Sequence, residues 1–254
     1  MRLIVSMGRG GSGKTSFVAL LSKSFIEVGK TPILLVDADP DQNLAEVVGI
    51  DLEKEGKKTI SEIVTETFLE EKGTLVGVPP SERVEGKIWE EGLYEGKQFD
   101  LIAIGPKWVE GCYCLPNAAL KNALERLVKN YENVIVDSPA GLEHLNRRIT
   151  SNVDDIFDII DHSQKSFEHI VRAVKIIEEV RVSFKNFYVV GGYRFPESLK
   201  PSIEKRTNAE FLGKIAYDKN VEEYIMSGKS LLELPSSSPA YCSINAIMKK
   251  AGYI

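Results

Sequence analysis

A chain of 254 residues, 43% hydrophobic and 27% charged, is long enough to bury a sizeable core without disulfide or metal staples. Its formal net charge of -5, with lysines and arginines scattered among acids, argues against a nucleic-acid partner. No apolar run of roughly 18 residues predicts a membrane span, and the N-terminus enters a strand pattern at once, leaving no room for a signal peptide. Three cysteines, two of them in one C-x-C, fit a reducing compartment, so a cytoplasmic location is expected.

In chain order, β-rich apolar runs are predicted at Leu3–Met7, Thr31–Val36, Leu75–Val78, Phe99–Ile104, Val134–Val136, Ile156–Ile160, Phe187–Val190 and Leu212–Ala216. Several are apolar throughout, as strands covered on both faces are. Helical spacing separates them: Thr15–Val28 carries Phe17, Leu20, Leu21 and Phe25 before Gly29, Asn117–Tyr131 repeats Leu120, Leu124, Leu127 and Val128, and Phe167–Val182 repeats Ile170, Val174, Ile177 and Val180. Pro79–Gln98 is the longest stretch read as irregular, and Ser236–Pro239 forms a second loop. Alternating strands and helices predict an α/β fold with a mostly parallel, doubly wound sheet flanked by helices. No linker divides the chain, so residues 1–254 are expected to form a single domain.

The first strand runs into Gly8-Arg9-Gly10-Gly11-Ser12-Gly13-Lys14-Thr15-Ser16, which matches G-x-x-x-x-G-K-[ST]. Glycines permit positive φ and close backbone approach, so successive N–H groups surround an anion. The helix behind adds its positive dipole end. Lys14 has the reach for the β- and γ-phosphates of a nucleotide such as ATP, and the Thr15 hydroxyl suits Mg2+.

The second strand ends in Asp37-Ala38-Asp39, whose two acids share a face if the strand persists. The Val134–Val136 run ends in Asp137, which has the form of a carboxylate that holds a Mg2+ hydration shell. In a parallel sheet both strand ends border the ligand crevice.

The order of phosphate loop, D-x-D and Asp137-Ser138-Pro139-Ala140-Gly141 resembles the MinD/ParA/nitrogenase-iron-protein class of dimerising ATPases, and the likeness extends to about Lys250. The segment Gly213–Asp218 resembles the class's stretch near the nucleotide base, which implies base contacts at Ala216, Tyr217 and Asp218. The resemblance further implies that Asp39 positions the attacking water, that Asp37 supports the Mg2+ shell and that Ser12 is a variable loop position. Arg9 stands where the class usually carries a second lysine that reaches across the dimer interface. An arginine fork suits the same task in trans. Gly191-Gly192 stands where relatives often have an asparagine that reads adenine, which leaves base contacts to the backbone of Ala216–Asp218.

Cys112-Tyr113-Cys114 lies in a loop flanked by Gly111 and Pro116. Two thiols one residue apart suit a soft metal, and a twofold axis would bring four sulfurs together. Together with Asn117 and Gly141-Leu142-Glu143-His144-Leu145, the motif resembles the CooC-type ATPases. That resemblance implies a homodimer that holds Ni2+ or Zn2+ between Cys112 and Cys114 of each subunit, and a client metalloenzyme such as carbon monoxide dehydrogenase. Asp158, Asp161 and His162 are read as solvated loop residues rather than added metal ligands. Cys242 is read as a buried packing residue. An iron–sulfur reductase is disfavoured because no cysteine lies in Asp137–Leu145. A positioning or partitioning ATPase of the MinD/ParA kind is disfavoured because Ile254 comes too soon for an amphipathic membrane anchor and no basic face is evident.

Overall fold

The computed structural model describes residues 1–70, 80–106, 122–139, 152–161, 182–207 and 209–254, with single positions between 168 and 179. Among them eight strands form one sheet: β1 (Arg2–Gly8), β2 (Ile33–Asp37), β3 (Tyr94–Glu95), β4 (Phe99–Ala103), β5 (Asn133–Asp137), β6 (Asn152–Ile160), β7 (Ser183–Gly191) and β8 (Glu210–Lys214). Their spatial order is β3-β4-β2-β5-β1-β6-β7-β8. All pairings are parallel except the short edge pair β3–β4. The α/β, mostly parallel, doubly wound architecture is the one the alternating pattern predicts.

The central strands are apolar on both faces because each face is covered. On β1, Leu3, Val5 and Met7 join Leu34, Val36, Val134 and Val136 on one side of the sheet. Ile4, with Ile33, Leu35 and Ile135, faces the other side. There helix α1 (Lys14–Glu27) packs Phe17, Leu20, Leu21 and Phe25 against the sheet beside Tyr241, Ile244 and Met248 of the C-terminal helix Pro239–Lys250. Burial of each such side chain contributes about 1.5–3 kcal/mol, so the two cores hold the strand ends in fixed register.

Several local readings need correction. Pro79–Gln98 is not irregular: it holds a helix at Pro80–Lys87, a π-helical turn at Ile88–Gly92 and strand β3. Pro80 serves as first helical residue, where its missing N–H is harmless. A helix at Ile60–Thr65 was also not anticipated, although Thr59 and Glu62 form a capping box that is visible in the sequence. Helix α2 (Asn43–Val47) follows β2. The predicted strand Leu75–Val78 lies outside the described residues. The predicted helices Asn117–Tyr131 and Phe167–Val182 are described in part, with helical backbone at 122–128 and at 168, 170, 172, 173, 175 and 179.

Candidate nucleotide site

Strand order places the phosphate loop at the middle of the sheet. β1 lies between β5 and β6, so the loop that leaves its C-terminal end is flanked by the ends of two neighbouring strands. Gly8, Gly11 and Gly13 have φ of 140°, 75° and 98°, values that side chains rarely tolerate. Gly8 carries a second constraint: a Cβ there would lie 2.3 Å from the Ile159 carbonyl oxygen of β6. The loop closes through the Ser12 N–H, which donates to the Arg9 carbonyl at 3.2 Å. Helix α1 then begins at Lys14 with no acid in its first turn, leaving its positive end uncompensated for an anion.

Lys14 is 7% exposed, and its Nζ donates to the Arg9 carbonyl at 3.4 Å. Gly10 and Gly11 are exposed, whereas Ser12 is buried with an Oγ that has no hydrogen-bond partner. Thr15 Oγ1 donates to Asp137 Oδ2 at 2.6 Å across β1 and β5. Asp137 is fully buried, and its second oxygen, Oδ1, has no partner. Burial raises its carboxyl to about 6, against the opposing pull of the Thr15 hydrogen bond and the Lys14 charge. A buried carboxylate oxygen without a donor, beside a threonine hydroxyl at the mouth of an anion loop, fits a hard divalent cation such as Mg2+.

Asp37 pairs in register with Asp137 on the adjoining strand. Burial, followed by repulsion from Asp137, raises its carboxyl to about 7. Both of its oxygens are engaged: Oδ1 accepts the Asp39 N–H at 3.1 Å, and Oδ2 accepts the Leu44 N–H at 2.9 Å. The second bond ties the start of α2 to the strand. Strand β2 stops at Asp37, so Asp37 and Asp39 do not share a strand face as expected. Pro40 disfavours a regular continuation, and Asp39 turns out to half-exposed ground, where its Oδ1 accepts the Asp41 N–H at 3.1 Å.

A cavity of about 190 Å3 opens beside the loop, with Ser12, Gly13 and Ser16 on one side and Ala216, Tyr217 and Asp218 on the other. The structure thus brings the expected base segment to the phosphate loop. Tyr193 and Ile225, which sequence reasoning did not single out, also line it. Asp218 is buried and caps the helix Lys219–Met226, with Ser238 Oγ donating to it from the C-terminal helix boundary.

Two readings of single residues change. Asp158 is not a solvated loop residue: it sits in β6 opposite Met7, is fully buried, and has its carboxyl raised to about 7 by burial, with Lys14 pulling the other way. Cys242 is exposed rather than packed in the core. Cys112, Cys114, Asn117, Gly141–Leu145 and His162 lie outside the described residues. Among the described residues no group of three or more His, Cys, Asp or Glu side chains could hold a metal ion, and no helix is long and apolar enough to cross a membrane.

Comparison with known proteins supports an ATPase of this fold. The chain is 36% identical over 252 residues to an uncharacterized ATP-binding protein of Methanocaldococcus jannaschii, covering 98% of this chain and 97% of that one. It is 24% identical over 265 residues to the carbon monoxide dehydrogenase accessory protein CooC of Rhodospirillum rubrum, covering 99% and 98%. Its fold superposes on the MinD cell division protein of Aquifex aeolicus with a TM-score of 0.70 at 21% identity, covering 99% and 97%. Residues 1–189 match AAA_31, an AAA domain, and with Lys14, Thr15 and Asp137 converging on one phosphate-binding loop the chain belongs to that family of P-loop ATPases.

Proposed function

We propose that this ATPase is a cytoplasmic metallochaperone that works as a homodimer, with residues 1–254 acting as one domain. It carries Ni2+, or Zn2+, on Cys112 and Cys114 of both subunits and delivers it to a client metalloenzyme such as carbon monoxide dehydrogenase. The observation that carries the reading is similarity to CooC over 99% of a chain that also holds the sequence Cys112-Tyr113-Cys114. Four thiolates from two chains satisfy the tetrahedral preference that two cannot. The same similarity supports dimerisation, and Arg9, in the phosphate loop, is then the residue that reaches the partner's nucleotide.

Within each subunit the chemistry follows from the site. Loop amides and Lys14 would hold the phosphates, and Thr15 and Asp137 would hold Mg2+, which would neutralise phosphate charge. Asp39 lies past the end of β2, half-exposed and without the two backbone amides that occupy Asp37. That exposure supports Asp39 as the carboxylate that orients water. Loading the protein with Ni2+ or Zn2+, with and without ATP, tests the proposal. One metal per two chains, lost in a Cys112→Ala, Cys114→Ala double variant, is expected; one metal per chain, or none, refutes the shared thiolate site.

A further inference from the structure

The pole of the sheet opposite the phosphate loop holds a cavity of about 560 Å3 that no step of the hydrolytic chemistry uses. It is built where strands begin rather than where they end. Arg2 opens β1, Asp154 and Asp155 lie near the start of β6, and Lys185 and Asn186 lie near the start of β7. Lys30, between α1 and β2, also lines it. Strand β1, seven residues long, separates this cavity from the phosphate loop by roughly 20 Å.

Arg2 is oriented by groups that leave its outer end unused. Its Nε donates to Asp155 Oδ2 at 3.2 Å, and its guanidinium lies 4.0 Å from the centroid of the Tyr253 ring. Asp155 is 1% exposed, and it also accepts from Asn186 Nδ2 at 2.7 Å and from the Tyr253 hydroxyl. These contacts fix the guanidinium plane while engaging one of its three nitrogens. Among the described residues the two terminal nitrogens make no hydrogen bond, and the side chain is 39% exposed.

Around the cavity the buried acceptors are spent and the donors are not. Asp155 already takes three donors. Asp154 accepts Lys185 Nζ at 2.5 Å on Oδ1 and the Leu3 N–H at 2.7 Å on Oδ2. Lys30 Nζ donates to the Tyr253 carbonyl, which leaves two of its three N–H groups. Glu132 is the acid that stays outside this set, exposed at the rim. Unused cationic donors over spent acceptors suit an oxyanion, and a planar fork matches one that presents two oxygens side by side.

We infer that this cavity is a second ligand site, which takes a small molecule bearing a carboxylate or a phosphate monoester, with the oxyanion accepting from the Arg2 fork and from Lys30. The fold itself does not call for the fork. A lysine ammonium can also pair with Asp155 and lie over the Tyr253 ring, so tying the C-terminal segment to the sheet needs a cation and not its planar outer end. The Glu132 charge at the rim opposes an anion, which gives the site a second handle of opposite sign.

The test is calorimetric titration of the full chain, its phosphate loop first saturated with Mg2+ and a non-hydrolysable ATP analogue so that the loop cannot take the probe. Succinate is the probe in one arm and glycerol 3-phosphate in the other. Saturable binding at one site per chain, with a Kd of about 1 mM or tighter, is expected in at least one arm, and the arm that binds names the source of the oxyanion. Arg2→Lys is expected to weaken that binding by about tenfold or more. Glu132→Gln, on the exposed rim, is expected to tighten it, a change that a purely structural cluster would not produce. No saturable binding of either probe, or an affinity unchanged in Arg2→Lys, overturns the inference. Should Arg2→Lys fail to fold, Lys30→Gln and Glu132→Gln carry the test: the first must weaken binding and the second must tighten it, and any other pair of results overturns the inference.

Discussion

Replacing Asp158 by asparagine is expected to stabilise the nucleotide-free protein at pH 8 and to do much less at pH 5. The side chain is fully buried in β6, and burial raises its carboxyl from the ordinary 3.8 to about 7, a value in which the attraction of Lys14 is already included. A carboxyl whose folded pKa is raised holds its proton in the folded state after the unfolded chain has released it. Stability therefore falls as pH rises from about 4 to about 7, and the full penalty is present above that. Three units correspond to an upper bound of about 4 kcal/mol, of which about 3 kcal/mol develops between pH 5 and pH 8. Asparagine cannot ionise and escapes it. Asp37 and Asp137, also raised, tilt both proteins the same way and drop out of the difference. Glu27, Asp51, Asp154 and Asp218, all lowered, act mainly below pH 4.5. Urea unfolding of both proteins at the two pH values, with equal m-values as the check on two-state behaviour, gives the comparison. A stability difference that is the same at pH 5 and pH 8, or that turns against the variant as pH rises, would refute the reasoning.

Gly192→Ala places a Cβ 2.6 Å from the Ser12 carbonyl oxygen and 3.3 Å from that of Ile160, two backbone atoms with little room to yield. A stability loss of about 1–3 kcal/mol and weakened nucleotide binding are expected; unchanged binding by fluorescent-nucleotide titration would show that the loop tolerates the shift. Asp39→Ala should cut turnover by about 100-fold or more while nucleotide binding persists, whereas a parallel loss of binding would point to a structural role. Arg9→Ala should lower turnover most at protein concentrations where the native chain dimerises, with monomer nucleotide binding nearly intact. Equal turnover across a concentration series would remove Arg9 from the partner's site.

The phosphate loop was legible because its chemistry is written in consecutive residues: Gly8, Gly13, Lys14 and Thr15 each have a role fixed by spacing alone. Asp137 was legible only beside the phosphate loop and in that chain order, since a lone acid at a strand end is more often a turn or cap residue. Asp158 was misread for a reason of tertiary structure. It lies within the predicted run Ile156–Ile160 but was read together with Asp161 and His162 as part of the strand's end, whereas β1 and β7 flank it on either side. Pro79 and Pro80 suggested a loop, although one of them starts a helix. The pairing of Tyr193 with Tyr217 at the cavity beside the phosphate loop could not be read locally. Its rings are 24 positions apart and meet because Val190 and Gly191 of β7 pair with Gly213 and Lys214 of β8.

The two acids that close β2 look interchangeable in sequence and are divided by the fold. Asp37 lies inside the sheet, and its two bonds to backbone amides hold the turn and the start of α2. Removing it would leave two N–H groups unsatisfied, at a cost of about 1–3 kcal/mol each, so its loss would be felt as instability before it was felt as slow chemistry. One of those amides belongs to Asp39. The buried acid thus fixes the backbone from which the outer acid projects, and the outer acid keeps solvent access that a water-orienting group requires. Register adds the last constraint: Asp37 stands beside Asp137, and Asp137 is bonded to Thr15 of the phosphate loop. Thr15, Asp137, Asp37 and the backbone of Asp39 are thus neighbours in one chain of contacts that runs from the phosphate loop to the turn after β2.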